Sequence, residues 1–86
     1  MDLALKGKNV VITGGSKGIG LSIAIAFAEE GANVATCART EGPLKEVAEK
    51  IKSKGVIAYT EKCDISDHKA LEKFLESAKD ELGSID

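Results

Sequence analysis

Short apolar runs alternate along this chain with longer stretches in which apolar residues recur every three or four positions. The runs at residues 8–13, 33–38 and 56–62 are short and rich in small or β-branched residues, which is typical of strands. Glycines flank the first run on both sides, and Gly55 precedes the third. The pattern therefore predicts three strands, with helices in the intervals between them.

The intervals have helical spacing. The first helix is predicted to open at Gly18 and to stop before Gly31, with an apolar face made of Ile19, Ile23, Ala26 and Phe27. The second has Gly42-Pro43 in its first turn, where proline is tolerated, and an apolar face of Leu44, Val47, Ala48 and Ile51. The last is predicted to be capped by Ser66 and to carry the stripe Leu71, Phe74, Leu75, Ala78 and Leu82.

The order strand, helix, strand, helix, strand, helix predicts an α/β fold with a parallel sheet, because each crossover is long enough to hold a helix. This is the N-terminal half of a Rossmann-like, doubly wound sheet, in which a fourth strand pairs with the free side of the first. Residues 84–86 resemble the approach to such a strand. We therefore expect residues 1–86 to be part of a domain of a longer protein.

The composition and net charge limit the kinds of partner that we expect. The 86 residues are 43% hydrophobic and 30% charged with a net charge of -2, so neither nucleic acid nor a membrane is expected as a partner. No apolar run reaches the roughly 20 residues of a membrane span, and the N-terminus lacks signal-peptide features, so we expect a cytoplasmic protein. Cys37 and Cys63 fit neither a disulfide framework nor a metal site and are expected to be buried as small apolar residues.

The segment 13–20, Thr-Gly-Gly-Ser-Lys-Gly-Ile-Gly, lies between the first predicted strand and helix. A turn from strand to helix needs positive φ, and a pyrophosphate approaches a backbone only where no Cβ intervenes; Gly14 and Gly18 meet these two needs. Gly20 allows close packing of the helix, and the N–H groups of Gly18, Ile19 and Gly20 face the phosphates. The segment therefore predicts that residues 1–86 are a partial dinucleotide-binding domain. A ligand-free glycine turn is the alternative, whereas a Walker-type phosphate loop does not match the spacing.

Three motifs together resemble one family: Thr-Gly-x-x-x-Gly-Ile-Gly, then Cys-Asp-Ile-Ser after the third strand, then Gly-Ser-Ile-Asp at the end. The chain is similar to the N-terminal part of a short-chain dehydrogenase/reductase, of the classical type that prefers NADP(H). The resemblance implies that Asp64 and the backbone of Ile65 hold the adenine. It also implies hydride transfer between a nicotinamide and a carbonyl or alcohol, in a parent protein that is a homo-oligomer. From the residues alone, Asp64 is either a ligand-binding carboxylate at a strand end or a turn residue.

The residues after the second strand bear on the choice of cofactor. Proteins that bind NAD place an acid there, about 20 residues past the glycines, to bind the ribose hydroxyls. This chain has Ala38 and Arg39 instead. Arg39 and Lys17 could bind a 2′-phosphate, with hydroxyls from Ser16 and Thr40, so we predict NADP(H). The alternative is that both cations are ordinary solvated surface charges.

Two functions follow. The first is the cofactor-binding part of an NADP(H)-dependent oxidoreductase that acts on a small carbonyl or alcohol, and we prefer it. The second is a nucleotide-binding module without catalysis. No residue of the chain matches the catalytic Ser, Tyr and Lys that the resemblance implies for the parent protein: Tyr59 lacks Tyr-x-x-x-Lys spacing, and His68, in a first helical turn, has no nucleophile nearby.

Overall fold

A computed structural model describes residues 6–14 and 18–85, with the side chains of residues 19 and 41 outside that description. The elements are β1 (Asn9–Thr13), α1 (Gly18–Glu29), β2 (Asn33–Ala38), α2 (Glu41–Lys52), β3 (Ala58–Lys62) and α3 (His68–Leu82). The predicted alternation of strands and helices is confirmed, and the fold is Rossmann-like. Of the helices in these two ranges, none is both long and apolar enough to cross a membrane.

The three strands form a parallel sheet in the order β1-β2-β3. The middle strand, β2, is buried from Val34 to Cys37, and three of these four residues are small enough to let helices approach from both faces. We expected the first strand to be buried on both faces. It is only half-buried at its apolar positions, because β1 lies at an edge of the sheet that the structure describes.

Helices cover both faces of the sheet. Because successive strand residues point to opposite faces, neighbours on β2 belong to different cores. Val34 packs with α1 and α2, in a cluster of Ala24, Ala28, Val34, Val47 and Ile51. Ala35 packs with α3, in a cluster of Ala35, Cys37, Cys63, Phe74, Ala78 and Leu82. Phe74 is fully buried, and its ring stacks on that of Tyr59 with 6.2 Å between centroids.

The apolar face predicted for α1 was wrong. Ala24 and Ala28 are the buried residues, whereas Ile23 is 42% exposed, Ala26 is exposed and Phe27 is half-buried; the side chain of Ile19 lies outside the described residues. Nearly every position of this helix is apolar, so spacing alone does not select a face. Two alanines on the inner side allow the helix backbone to lie close to the sheet.

Two further differences are smaller. In α3 the predicted stripe is buried at Phe74, Ala78 and Leu82, but Leu75 is 38% exposed at the margin of the packed face. The third strand begins at Ala58 rather than at residue 56. The preceding residue, Ile57, still contacts β2: its carbonyl accepts from the N–H of Val34 at 3.0 Å. Extended backbone therefore reaches the sheet before regular strand geometry begins.

An asparagine ladder joins the amino ends of the strands. Asn33 Nδ2 donates to Asn9 Oδ1 at 2.8 Å, and Asn33 Oδ1 accepts from the N–H of Ile57 at 2.9 Å. Asn9 Nδ2 in turn donates to the carbonyl of Leu82 at 3.1 Å and to Ser84 Oγ at 3.2 Å. One side-chain network therefore connects all three strands with the end of α3.

We expect Asn33→Ala to lower the free energy of unfolding by roughly 1–3 kcal/mol, because it removes two hydrogen bonds and leaves the N–H of Ile57 without its acceptor. The measurement is denaturant unfolding followed by circular dichroism. Ser53→Ala is the control, since it removes an exposed 2.6 Å bond to the carbonyl of Lys50 and should cost less than about 0.5 kcal/mol. Equal losses for the two variants would contradict a structural role for the ladder.

Candidate functional site

A cavity of about 520 Å³ opens at the carboxyl ends of the strands. It is lined by Gly14 after β1, by residues 37–40 at the end of β2, and by residues 63–66 after β3. This is the edge at which parallel α/β sheets bind ligands, because the loops after adjacent strands converge there. The cavity brings together three segments that the sequence singled out separately.

Backbone hydrogen bonds hold these three segments in register beyond the strands themselves. The N–H of Gly14 donates to the carbonyl of Cys37 at 3.0 Å, and the N–H of Cys63 donates to the carbonyl of Ala38 at 2.8 Å. The residues that follow, Arg39 and Asp64, therefore leave the sheet from adjacent strands at the same edge. Their side chains belong to one cavity because of the pairing, not because of their distance along the chain.

The glycine segment has the backbone geometry that its sequence predicts. Gly14 has φ 70° and Gly18 has φ 53°, and a Cβ on either would meet no atom of the described residues within 4 Å, its chain neighbours aside. The described residues therefore leave space beside both glycines, while side chains are disfavoured by the positive φ. The helix α1 begins at Gly18, so its unpaired N–H groups lie at this turn, and Gly20 is half-buried within its first turn. These features fit a phosphate-bearing ligand.

Two of the predicted contacts lie outside the described residues, namely Ser16 and Lys17. Ile19 lies in α1, and its side chain lies outside the described residues. The predicted roles of these three residues stay predictions. The other seven predicted residues are all described. Five of them line the cavity, namely Gly14, Arg39, Thr40, Asp64 and Ile65, while Gly18 and Gly20 lie in the first turn of α1.

Arg39 and Thr40 follow β2 and are exposed. Within the described ranges, the Arg39 guanidinium has no hydrogen bond or ion pair. Thr40 is the N-cap residue of α2, yet its hydroxyl makes no capping hydrogen bond. A cation and a hydroxyl are therefore both available at the end of β2, where Ala38 stands in place of an acid.

Asp64 follows β3 and holds a fixed hydrogen-bond pattern. Its Oδ1 accepts from the backbone N–H of Ser66 at 2.9 Å and from Ser66 Oγ at 2.7 Å. These two bonds, the hydroxyl first, lower the pKa of Asp64, and the charge of Arg39 lowers it further. Asp64 is therefore an ionised acceptor at neutral pH. Beside it, Ile65 exposes 51% of its surface at the cavity.

The prediction that Ser66 caps the last helix was wrong. Asp67 is the N-cap residue of α3, and its side chain accepts from the N–H groups of Lys69 and Ala70. An ionised carboxylate one residue nearer the helix accepts these N–H groups better than a hydroxyl does. Ser66 is instead bound to Asp64, a pairing that the Asp-x-Ser spacing would have indicated as an Asx turn.

The two cysteines lie beneath the cavity as free thiols, and the expectation that they are buried is confirmed. Cys37 is fully buried and Cys63 is 4% exposed. Burial, reinforced by the neighbouring Cys63, raises the pKa of Cys37 to about 11. Cys37 is therefore a neutral thiol at physiological pH and contributes an apolar floor rather than a nucleophile.

A second concavity, of about 310 Å³, lies on the exposed side of α2 and is lined by Glu46, Glu49, Lys50 and Ser53. Two carboxylates make it unfavourable for an anionic ligand. It also lies away from the strand ends, so the cavity above Cys37 is the candidate site.

We expect Cys37 to react slowly with a thiol reagent at pH 8 in the folded protein, because only about one thiol in a thousand is ionised when the pKa is about 11. Labelling with an aromatic disulfide, followed by peptide mass analysis, measures the rate at this residue. The same labelling in denaturant is the control and should be complete within minutes. Rapid modification of Cys37 without denaturant would contradict its burial.

Fold and site together define a parallel α/β protein with a cavity at the carboxyl ends of its strands, lined in part by Gly14. The model of the family "short chain dehydrogenase" matches residues 8–86. The chain belongs to this family of oxidoreductases, which bind nicotinamide cofactors. The family resemblance inferred from its motifs is thus confirmed.

Individual relatives of similar sequence or structure are also oxidoreductases by their names. L-rhamnose 1-dehydrogenase (NADP(+)) of Thermoplasma acidophilum is 42% identical over 84 residues, which are 96% of this chain and 33% of that protein. L-sorbose reductase from Gluconobacter frateurii, solved with NADPH and L-sorbose, has a TM-score of 0.92 at 39% identity over 100% of this chain and 33% of its own. NAD+-bound xylitol dehydrogenase has a TM-score of 0.91 at 30% identity, covering 95% and 32%. The chain spans a third or less of the length of the curated relatives it matches.

Proposed function

We propose that this chain is the cofactor-binding part of an NADP(H)-dependent oxidoreductase that moves hydride between the nicotinamide and a small carbonyl or alcohol. The observation that carries the proposal is the end of β2, where Arg39 is exposed, has no ion-pair partner among the described residues, and follows Ala38 rather than an acid. The similar structures include both an NADPH-bound and an NAD⁺-bound protein, so the fold does not decide between the cofactors. The residues at this position support NADP(H).

The physical reason lies in charge. A 2′-phosphate carries close to two negative charges and needs a cation or hydroxyls within hydrogen-bond distance, whereas a free 2′-hydroxyl is best bound by a carboxylate. At the end of β2, Arg39 supplies a guanidinium and Thr40 a hydroxyl. Neither group makes a hydrogen bond to another described residue. Lys17 and Ser16 are proposed to complete the phosphate contacts from the glycine turn.

The other contacts follow from the shape of the cavity. Gly14 and Gly18 leave room for a pyrophosphate, which would accept from the N–H groups at the start of α1, around Gly18, Ile19 and Gly20. Asp64, ionised and held by Ser66, would accept from the adenine amino group, and the backbone of Ile65 would bond the same ring. The side chain of Ile65 offers the ring an apolar surface.

When bound, the nicotinamide would donate the hydride to a carbonyl or accept it from an alcohol. We propose that residues of this chain bind and orient the adenosine half of the cofactor. We propose none of them as the acid or base of the reaction. His68 is exposed at the first residue of α3, and Tyr59 donates its hydroxyl proton to Glu61 at 2.5 Å within β3. We place the protein in the cytoplasm, as a homo-oligomer, and both of these remain proposals.

The test compares NADPH and NADH binding to the full-length protein by fluorescence titration. The unaltered protein should bind NADPH more tightly. Arg39→Asp should weaken NADPH by roughly 10- to 100-fold, the worth of a charge-assisted hydrogen bond, because it removes the cation and adds repulsion. The affinity for NADH should stay within about twofold or rise, since Asp can accept from the ribose hydroxyls.

Lys54→Asp is the matched control, because it makes the same change in charge at an exposed turn after α2, outside the residues that line the cavity. It should leave both affinities within about twofold. Tighter binding of NADH by the unaltered protein would overturn the proposal. So would an equal loss of NADPH affinity in the Lys54 variant, since that would reveal a general effect of net charge.

A further inference from the structure

We propose that Ser66 is a positioning residue for base recognition: by holding one carboxylate oxygen of Asp64, it presents the other to the exocyclic amino group of an adenine in the cavity. The inference rests on the proposed function, because it takes the ligand to be an adenine dinucleotide. The inference adds Ser66 to the site and explains why the site would prefer adenine to a base without an amino group at the same position.

The first step is geometric. Both hydrogen bonds that described residues make to the Asp64 carboxylate fall on Oδ1, at 2.9 Å from the N–H of Ser66 and 2.7 Å from its Oγ. The carbonyl of Asp64 also accepts from the N–H of Asp67 at 2.9 Å, which closes the turn. The carboxylate plane is therefore fixed at one oxygen, and Oδ2 keeps its lone pairs for a donor in the cavity that Asp64 and Ser66 both line.

The second step concerns what an unheld carboxylate would do. Asp64 is exposed, so water alone would leave its side chain free to sample several rotamers. A ligand would then have to immobilise the carboxylate as it binds, at a cost in entropy. The Ser66 hydroxyl lowers that cost in the free protein, because it adds a second bond to the one from the Ser66 N–H. It also withdraws Oδ1 from competition for the ligand's donor, so that one defined atom accepts.

The third step excludes a purely structural role for the hydroxyl. The helix that follows is capped by Asp67, whose carboxylate accepts from Lys69 and Ala70, so α3 does not need Ser66 as a cap. Ser66 is exposed and belongs to neither hydrophobic cluster. Within the described residues, the hydroxyl of Ser66 has one hydrogen bond, to Asp64.

The expected selectivity follows from the edge of the base. Adenine has an amino donor at its six-position, whereas hypoxanthine has a carbonyl oxygen there, which an ionised carboxylate repels. The low pKa of Asp64, caused first by the Ser66 hydroxyl, keeps the carboxylate ionised and acceptor-only. A protein with Asp64 held in place should therefore prefer the adenine dinucleotide, and the preference should depend on Ser66.

The experiment measures the dissociation constants of NADPH and of its hypoxanthine analogue with the full-length protein, and their ratio is the readout. The unaltered protein should favour NADPH. Ser66→Ala should shrink the ratio by roughly three- to tenfold through weaker NADPH binding alone, which is less than the full worth of a hydrogen bond to a charged group because the N–H of Ser66 still holds Oδ1. Ser66→Thr keeps a hydroxyl and should restore the ratio to within about twofold.

Ser53→Ala is the matched control, because its hydroxyl also makes a short exposed bond, at 2.6 Å to the carbonyl of Lys50, but lies outside the cavity. It should leave the ratio unchanged. Melting temperatures of all variants report folding, so a loss of both ligands together with a lower melting temperature in Ser66→Ala would count against the inference.

The outcomes separate two kinds of failure. If the unaltered protein prefers NADPH over its analogue and Ser66→Ala leaves the ratio intact, the positioning role is wrong while the proposed function stands. If the unaltered protein binds both ligands equally, the base is not recognised through Asp64, and the inference fails while NADP(H) binding survives. If it binds neither ligand, the proposed function fails and the inference with it.

Discussion

The parallel pairing of β2 with both of its neighbours is the constraint on which the rest of the structure depends. The strand is buried from Val34 to Cys37, and its alternate side chains pack into two separate hydrophobic clusters on opposite faces of the sheet. A slip of one residue in its pairing would exchange these two sets of side chains between the faces of the sheet. It would also shift Arg39 relative to Asp64, since the two follow adjacent paired strands. Core and site therefore share one register.

The two ends of the sheet differ in how they use polar groups. At the amino ends, Asn9 and Asn33 bond to each other and to neighbouring backbone groups, so their polar atoms serve the fold. At the carboxyl ends, the Arg39 guanidinium and the Thr40 hydroxyl have no such bonds within the described residues. Polar groups at the first end are satisfied by protein, which stabilises the register, while those at the second remain available to a ligand.

Much of this arrangement could be predicted from the sequence, because it rests on local signals. The second strand matched its predicted bounds at Asn33–Ala38, and a glycine with positive φ was expected in the turn from the first strand to the first helix. The packed face of α1 could not be predicted, since a helix that is apolar on nearly all sides carries no periodic signal. The N-cap of α3 was predicted wrongly because Ser66 and Asp67 are both good N-cap residues. Asp67 is the cap because the Ser66 hydroxyl is bound to Asp64, and this contact is not visible in the helix pattern.

The cavity places opposite charges on neighbouring loops without pairing them. Arg39 contributes only the last of the causes that lower the pKa of Asp64, after the two bonds from Ser66. Asp64 is therefore satisfied mainly by short local bonds, and solvent screens its attraction for the exposed guanidinium. Had the two side chains formed a close ion pair, each would have lost its capacity to bind a ligand. Because Ser66 holds the carboxylate, the cavity can present an acceptor on one loop and a cation on the next, which suits a ligand with a donor-bearing base and a phosphate.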